Sequence, residues 1–281
     1  MNQLIDGRAV AAQLRAELKE KISALPGRKP GLAFILIGED PGSIAYVRMK
    51  KKGCEEVGIH SHVLKLSDKI TEGELLAEID HLNSKSEIDG ILVQQPLPKQ
   101  ITTDVIVEAI DPRKDVDGFH PLNMGKLLLG HSNGLFPCTP LGIVHLLKTY
   151  EIKTAGKHVV ICGRSNIVGK PLAAMLCQKR RGANATVTLA HSHTENLKAV
   201  TQTADILIAA MGKAHFITAD MIKPGAVVID VGMSRTDGGL VGDVAFDEVC
   251  KKASWITPVP GGVGPMTIAM LLSNTLKSYL S

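Results

Sequence analysis

The chain has 281 residues, 44% hydrophobic and 21% charged, which suits two domains with sizeable cores and excludes intrinsic disorder. Its net charge of +4 is compatible with small anionic ligands, but the basic residues are scattered and only 3% of the chain is aromatic. That excludes a base-stacking nucleic-acid surface, and no apolar run approaches the ~18 residues a membrane span needs.

In chain order, residues 1–20 read as an amphipathic charged helix rather than a signal peptide. Apolar β-rich runs then alternate with helical patterns, the signature of an α/β protein with mostly parallel sheets. Gly31–Gly38, Ile59–Leu66 and Ile88–Val93 read as strands, separated by helices at Ser43–Val57 and Thr71–Asn83. A break near Asn133–Pro140 precedes a helix at Leu141–Tyr150, with Thr139 as its candidate N-cap. Beyond it come a strand at Lys157–Ile161, a helix at Val168–Lys179, strands at Ala185–Ala190, Asp205–Ala209 and Ala226–Val231, and a last helix at Pro265–Leu280. This second half is a strand–turn–helix series of Rossmann type. Five cysteines, an odd number without CxxC or Cys/His ligand spacing, argue against zinc and for a reduced, soluble, cytoplasmic protein.

Four constellations carry chemistry. In Gly163-Arg164-Ser165-Asn-Ile-Val-Gly169-Lys-Pro, Gly163 lets the chain leave a strand sharply and Gly169 lets a helix approach, so that backbone N–H groups face a phosphate. It departs from GxGxxG at Ser165. His191-Ser192-His193 ends the next strand, where an acid would bind the ribose of NAD; its absence, with Arg164 in the first turn, favours the 2′-phosphate of NADP. Tyr46 and Lys50 stand four apart, stacked on one helix face, an arrangement useful for proton transfer if the lysine pKa falls. Gln94-Gln95-Pro-Leu-Pro could read the edge of a heterocycle or be a rigid loop, and Asp111-Pro-Arg-Lys-Asp115-Val-Asp117-Gly could pair with an amino-pyrimidine or be a solvated turn. The latter lacks the spacing of a calcium loop. In Thr257-Pro-Val-Pro260-Gly261-Gly262-Val263-Gly264-Pro, glycines admit a flat ligand and prolines fix the path.

Taken jointly, YVRMKKKGCEEVGI, DGILVQQPLP, DPRKDVDGFHPLNMG, PCTPLGI, GRSNIVGKP, VIDVGM, VGDV and TPVPGGVGPMTIAML resemble the bifunctional methylenetetrahydrofolate dehydrogenase/cyclohydrolase family, in collinear order from about residue 30 to 272. The resemblance implies an α/β fold: an N-terminal three-layer folate/catalytic domain (1–139, with the C-terminal helix 268–281 packing back) and a Rossmann-type NADP-binding domain (140–267), an active-site cleft between them. It implies oxidation of 5,10-methylenetetrahydrofolate with NADP and hydrolysis of the methenyl product to 10-formyltetrahydrofolate, in the one-carbon metabolism that serves purine biosynthesis. A homodimer through the cofactor domain and no metal are further implications. Carried over by position, Lys50 is the catalytic lysine, Tyr46 stacks on or positions the folate, Gln94 holds Lys50 in a useful protonation state and Asp117 binds the pterin. Val93, Gln95 and Pro260, Gly261, Gly262, Val263 and Gly264 line the folate pocket, while Gly163, Arg164, Ser165, Ser192 and Met233 contact the cofactor. His193 departs from the Arg or Lys of the bacterial pattern, which leaves Arg164 more of the 2′-phosphate recognition, and Lys179–Ala183 reads as a short insertion that lengthens a helix end.

Three rival readings remain. A short-chain-dehydrogenase-like enzyme also carries YxxxK, but there the tyrosine follows the nucleotide turn, whereas Tyr46 precedes Gly163. A non-enzymatic nucleotide-binding module has no reason to keep Tyr46, Lys50, Gln94 and Asp117 together. A monofunctional dehydrogenase is the third, against which all the candidate hydrolytic groups are present.

Overall fold

The structure, a computed structural model, describes residues 3–281. In chain order its strands are β1 (Gln3–Leu4), β2 (Gly31–Ile37), β3 (His60–Leu66), β4 (Gly90–Val93), β5 (His158–Cys162), β6 (Thr186–Ala190), β7 (Ile206–Ala209), β8 (Val227–Asp230), β9 (Ser234–Thr236), β10 (Gly239–Val241) and β11 (Trp255–Ile256). The helices are α1 (Gly7–Ser23), α2 (Pro41–Val57), α3 (Glu72–Ser84), α4 (Thr103–Ala109), α5 (Pro121–Leu128), α6 (Cys138–Thr149), α7 (Gly169–Leu176), α8 (Leu197–Thr201), α9 (Phe246–Val249) and α10 (Val263–Tyr279).

The chain forms two compact units. The first comprises Ala12–Cys138 and Ile268–Ser281. Its parallel sheet has the order β3-β2-β4, and all seven residues of the central strand β2 (GLAFILI) are buried, as an apolar strand covered on both faces must be. Ala33, Ile35 and Ile37 pack against Leu75, Ile79 and Leu82 of α3 and Ile106 of α4. Helix α2 begins where Asp40 accepts the Ser43 N–H at 2.7 Å and Pro41 occupies the first turn, and it ends where Gly58 turns left-handed (φ 85°). The cap fixes the start of the helix that carries Tyr46 and Lys50. A capping box between Thr71 and Glu74 starts α3.

The second unit comprises the chain up to Ala11 and Thr139–Thr267. Its six-stranded sheet has the order β1-β11-β8-β7-β5-β6 and is parallel throughout, with an antiparallel hairpin β9–β10 beside it. Val160, Leu207, Val228 and Ile256, one from each of four strands, share a fully buried cluster.

Four sequence expectations change. A division at 139/140 assigns the first residues to the N-terminal domain and to a helix, whereas Gln3 and Leu4 pair with Trp255 and Ile256 in the second unit's sheet. Helix α1 starts only at Gly7, where the Asp6 carboxylate accepts the N–H groups of Arg8 and Ala9. Thr139 does not cap α6, which begins one residue earlier; its hydroxyl hydrogen-bonds Thr267 at 2.9 Å instead. Helix α7 stops at Leu176 rather than Lys179, and Lys179–Ala183 forms a turn rather than a longer helix. The left-handed Gly182 (φ 80°) and Asn184 (φ 58°) shape that turn, and Thr154 Oγ1 donates to the Ala183 carbonyl at 2.9 Å.

Candidate active site

In the first unit the C-terminal end of β4 meets the face of α2. Lys50 Nζ donates to Gln94 Oε1 at 2.9 Å, and Gln94 Nε2 donates to the Gln95 carbonyl at 2.7 Å. The glutamine is therefore held at both ends, so its oxygen has a fixed direction to offer the ammonium. Gln94 N–H extends the β4 pairing by donating to Ile35 O at 2.9 Å, and Val93, the last residue of the strand, lies beside it. The Gln95–Pro96 peptide that follows is cis. Tyr46 is half-buried one turn before Lys50, and burial pushes its phenol above the usual tyrosine range.

The Asp-rich loop closes the same site. Burial pushes the Asp117 carboxyl upward, and the Lys50 ammonium partly opposes that shift. The turn that follows Asp117 is held by Asp115 of the same acidic motif. Asp115, 2% exposed, accepts the N–H groups of Gly118, Phe119 and His120 at 3.1, 3.2 and 2.8 Å, and the Asn123 side-chain amide at 2.9 Å. Burial still pushes the Asp115 carboxyl up, to about 6. At Gly118 (φ 79°) a Cβ would overlap the backbone of Phe136 and Pro137, so this turn admits only glycine. From α10, Asn274 Nδ2 donates to the carbonyls of Val116 and Phe136 at 2.8 and 2.9 Å. The only hint in the sequence is a carboxylate and two amides close to apolar runs.

In the second unit, Gly163 (φ 132°) ends β5 where a Cβ would overlap the Ala210 carbonyl, and a Cβ at Gly169 would overlap Gly163 O. Ser165 Oγ accepts the Val168 N–H at 3.1 Å. Among the described residues, nothing accepts a hydrogen bond from the backbone N–H groups of Arg164, Ser165, Asn166 or Ile167. Those donors precede a helix N-terminus, the geometry that takes a phosphate. Arg164, Ser165 and Ser192 are exposed, Ser192 lying in the turn where His191 N–H donates to Thr194 Oγ1 at 2.8 Å. Met233, 46% exposed, follows β8. Pro260–Gly264 lie in this unit as well, against the start of α1: Arg8 N–H donates to Gly261 O at 2.9 Å, and a Cβ on Gly7 would overlap Gly262 O.

A cavity of about 410 Å³ lies at the opposite, N-terminal edge of the parallel strands, lined by Tyr150, Lys153, Lys157, Lys223 and Trp255 among others. None of the expected site residues reaches it. Among the described residues, no three His, Cys, Asp or Glu side chains are grouped to hold a metal ion, and no helix is long and apolar enough to cross a membrane.

The fold and these two constellations define a class: an α/β protein that joins a unit with a partly buried Lys–Gln–Asp cluster to a Rossmann-type dinucleotide-binding unit. The family model of the tetrahydrofolate dehydrogenase/cyclohydrolase catalytic domain matches residues 5–117, and that of the same family's NAD(P)-binding domain matches residues 137–281. The chain is 54% identical to the bifunctional protein FolD of Prosthecochloris aestuarii, over 98% of this chain and 97% of that one. The bifunctional FolD methylenetetrahydrofolate dehydrogenase/cyclohydrolase of Campylobacter jejuni superposes with a TM-score of 0.97 at 52% identity, covering 100% of this chain and 99% of that one. The Trypanosoma brucei dehydrogenase–cyclohydrolase, solved with NADP and an inhibitor, gives 0.93 at 38% identity over 99% and 97%. The chain belongs to the tetrahydrofolate dehydrogenase/cyclohydrolase family.

Proposed function

We propose that this chain oxidises 5,10-methylenetetrahydrofolate to the 5,10-methenyl form with NADP, then hydrolyses that product to 10-formyltetrahydrofolate. The observation that carries the reading is the Lys50–Gln94 hydrogen bond at 2.9 Å beside Asp117, in a family of bifunctional enzymes.

Lys50 presents three N–H donors, of which Gln94 takes one. The others remain to orient water and the ring nitrogen of the folate. In the hydrolysis, water attacks the methenyl carbon and a C–O bond forms, one water proton leaving to solvent. Lys50 donates a proton to the ring nitrogen as the C–N bond breaks, and takes the remaining hydroxyl proton as the formyl C=O forms. Asp117 binds the pterin edge, Tyr46 packs against the folate, and Val93 and Gln95 line its pocket; the Pro260–Gly264 run, whose glycines admit a flat ligand, is assigned to folate contact as well. NADP, when bound, supplies the two-electron acceptor. The free N–H groups at 164–167 and the glycine cradle at 163 and 169 fit its pyrophosphate, with Arg164 directed to the 2′-phosphate and Ser165, Ser192 and Met233 lining the site.

On this reading residues 12–138 with 268–281 are the folate domain, and 139–267 with the N-terminal strand the NADP domain. The enzyme works as a cytoplasmic homodimer, in keeping with five free cysteines. The test is to incubate purified protein with 5,10-methylenetetrahydrofolate and either NADP or NAD, following reduced nicotinamide and methenyl product separately. Reduced NADP without accumulating methenyl product is the expected result. Accumulating methenyl product means a dehydrogenase alone, and no reduction with either cofactor rejects the reading. A monomeric mass by native mass spectrometry rejects the dimer.

A further inference from the structure

The sheet order places β5 between β6 and β7, so the strand order reverses between β5 and β7, and a dinucleotide crevice opens beyond the C-terminal ends of those two strands. One wall is the Gly163 turn. The other is the segment that leaves β7, Ala210–Lys213, bound to the first wall by the Ala210 N–H, which donates to Cys162 O at 2.9 Å.

What shapes this second wall is a carboxylate from elsewhere in the chain. Asp243, with no solvent exposure, accepts the N–H groups of Met211, Gly212 and Lys213 at 2.5, 3.0 and 2.7 Å. Asp243 is itself held by a second buried carboxylate: Asp230 accepts the N–H groups of Gly232, Asp243 and Val244, each at 2.9 Å. The Asp230 N–H in turn donates to Thr257 Oγ1 at 2.7 Å, which brings in the end of β11. The motifs VIDVGM and VGDV thereby acquire a purpose. A Cβ at Gly232 would overlap the Asp243 carboxylate, and one at Gly242 would overlap that of Asp230, so each glycine vacates the space its partner's carboxylate fills.

Two adjacent buried carboxylates are a poor way to gain stability. Each must be desolvated, the two repel, and apolar side chains with short turns would join the same strands more cheaply. The arrangement does define the backbone of three consecutive residues at the topological switch point. We propose that Asp243, braced by Asp230, is a positioning residue for the dinucleotide: through backbone N–H groups it fixes Met211–Lys213 as the second wall of the crevice. This rests on the reading of the unit as an NADP site.

The hydrolytic half-reaction uses no NADP, so the full-length protein carries its own control. We would measure KM for NADP, kcat for both reactions and thermal stability for the wild type, Asp243→Asn and Gly212→Ala. Asp243→Asn keeps one acceptor of similar size. Gly212→Ala perturbs the segment from its other side, because Gly212 has φ 67° with open space around its Cβ position. Both variants are expected to raise KM for NADP by about tenfold as the Met211–Lys213 wall loses its fixed shape, with dehydrogenase kcat changed far less and hydrolysis within about twofold of wild type. Parallel loss of both activities with an unchanged KM for NADP would show a merely structural role and overturn the proposal. So would an unchanged KM in both variants. A wild type that binds no NADP would instead overturn the reading of the unit, and this inference with it.

Discussion

Asn123 Nδ2 reaches from α5 to Asp115 Oδ2 at 2.9 Å, so the carboxylate that organises the Asp-rich loop is braced by a helix. That loop therefore holds its shape around an acid removed from water. Burial raises both Asp115 and Asp230 to about 6 from an ordinary value of 3.8. A carboxyl whose folded pKa is raised stabilises the fold below its unfolded pKa, and that contribution is lost as pH rises through the folded value. Acids whose pKa is lowered, such as Asp220 at about 2, act in the opposite sense but have done so by about pH 4. These two aspartates should therefore lower the unfolding free energy between about pH 4 and 6, on the order of 2 kcal/mol each. Urea unfolding across that window checks it. Asp115→Asn should flatten the decline whatever it does to the absolute stability, and an unchanged slope rejects the assignment.

Lys50→Ala removes the only proton carrier we place at the methenyl carbon. Hydrolysis should fall by about a hundredfold or more, with the far-ultraviolet circular dichroism and thermal midpoint unchanged. Near-normal hydrolysis would end the proposed role. Gln94→Ala should lower the same rate less, because it loosens the lysine without removing it.

Arg164→Ala tests the cofactor choice. Loss of a charge-assisted contact to a 2′-phosphate should weaken NADP by about 1.5–3 kcal/mol and leave NAD nearly untouched. Equal losses for the two cofactors would reject Arg164 as the discriminating group.

Gly163→Ala forces a Cβ onto the Ala210 carbonyl at a φ of 132°. The second unit should lose about 2 kcal/mol or more, read as a lower thermal midpoint, and dehydrogenase activity should fall with it. A wild-type midpoint would mean that the turn is not held as described.

Much of this was legible in the sequence because the signals are local. An unbroken apolar run such as GLAFILI reports a strand covered on both faces, and GRSNIVGKP reports a strand, turn and helix from neighbouring residues. The pairing of Lys50 with Gln94 was legible only through resemblance, since 44 residues separate them. Asp243 was not legible at all as a brace. Its donors lie about thirty residues earlier, and nothing in VGDV says which backbone it will hold. The end of α7 was misread because its last carbonyl is taken by a residue nine positions on, the Ala185 N–H donating to Leu176 O at 2.9 Å, which helical periodicity does not register.

The strand Gln3–Leu4 shields what would otherwise be an open edge. Without it, β11 would present unpaired N–H and C=O groups to any passing chain, a template for sheet-to-sheet association. Its pairing joins residue 3 to residue 255, among the longest loop closures this chain can make, so edge protection comes late in folding. Trimming or burdening these few residues would thus be felt less in catalysis than in solubility and refolding yield.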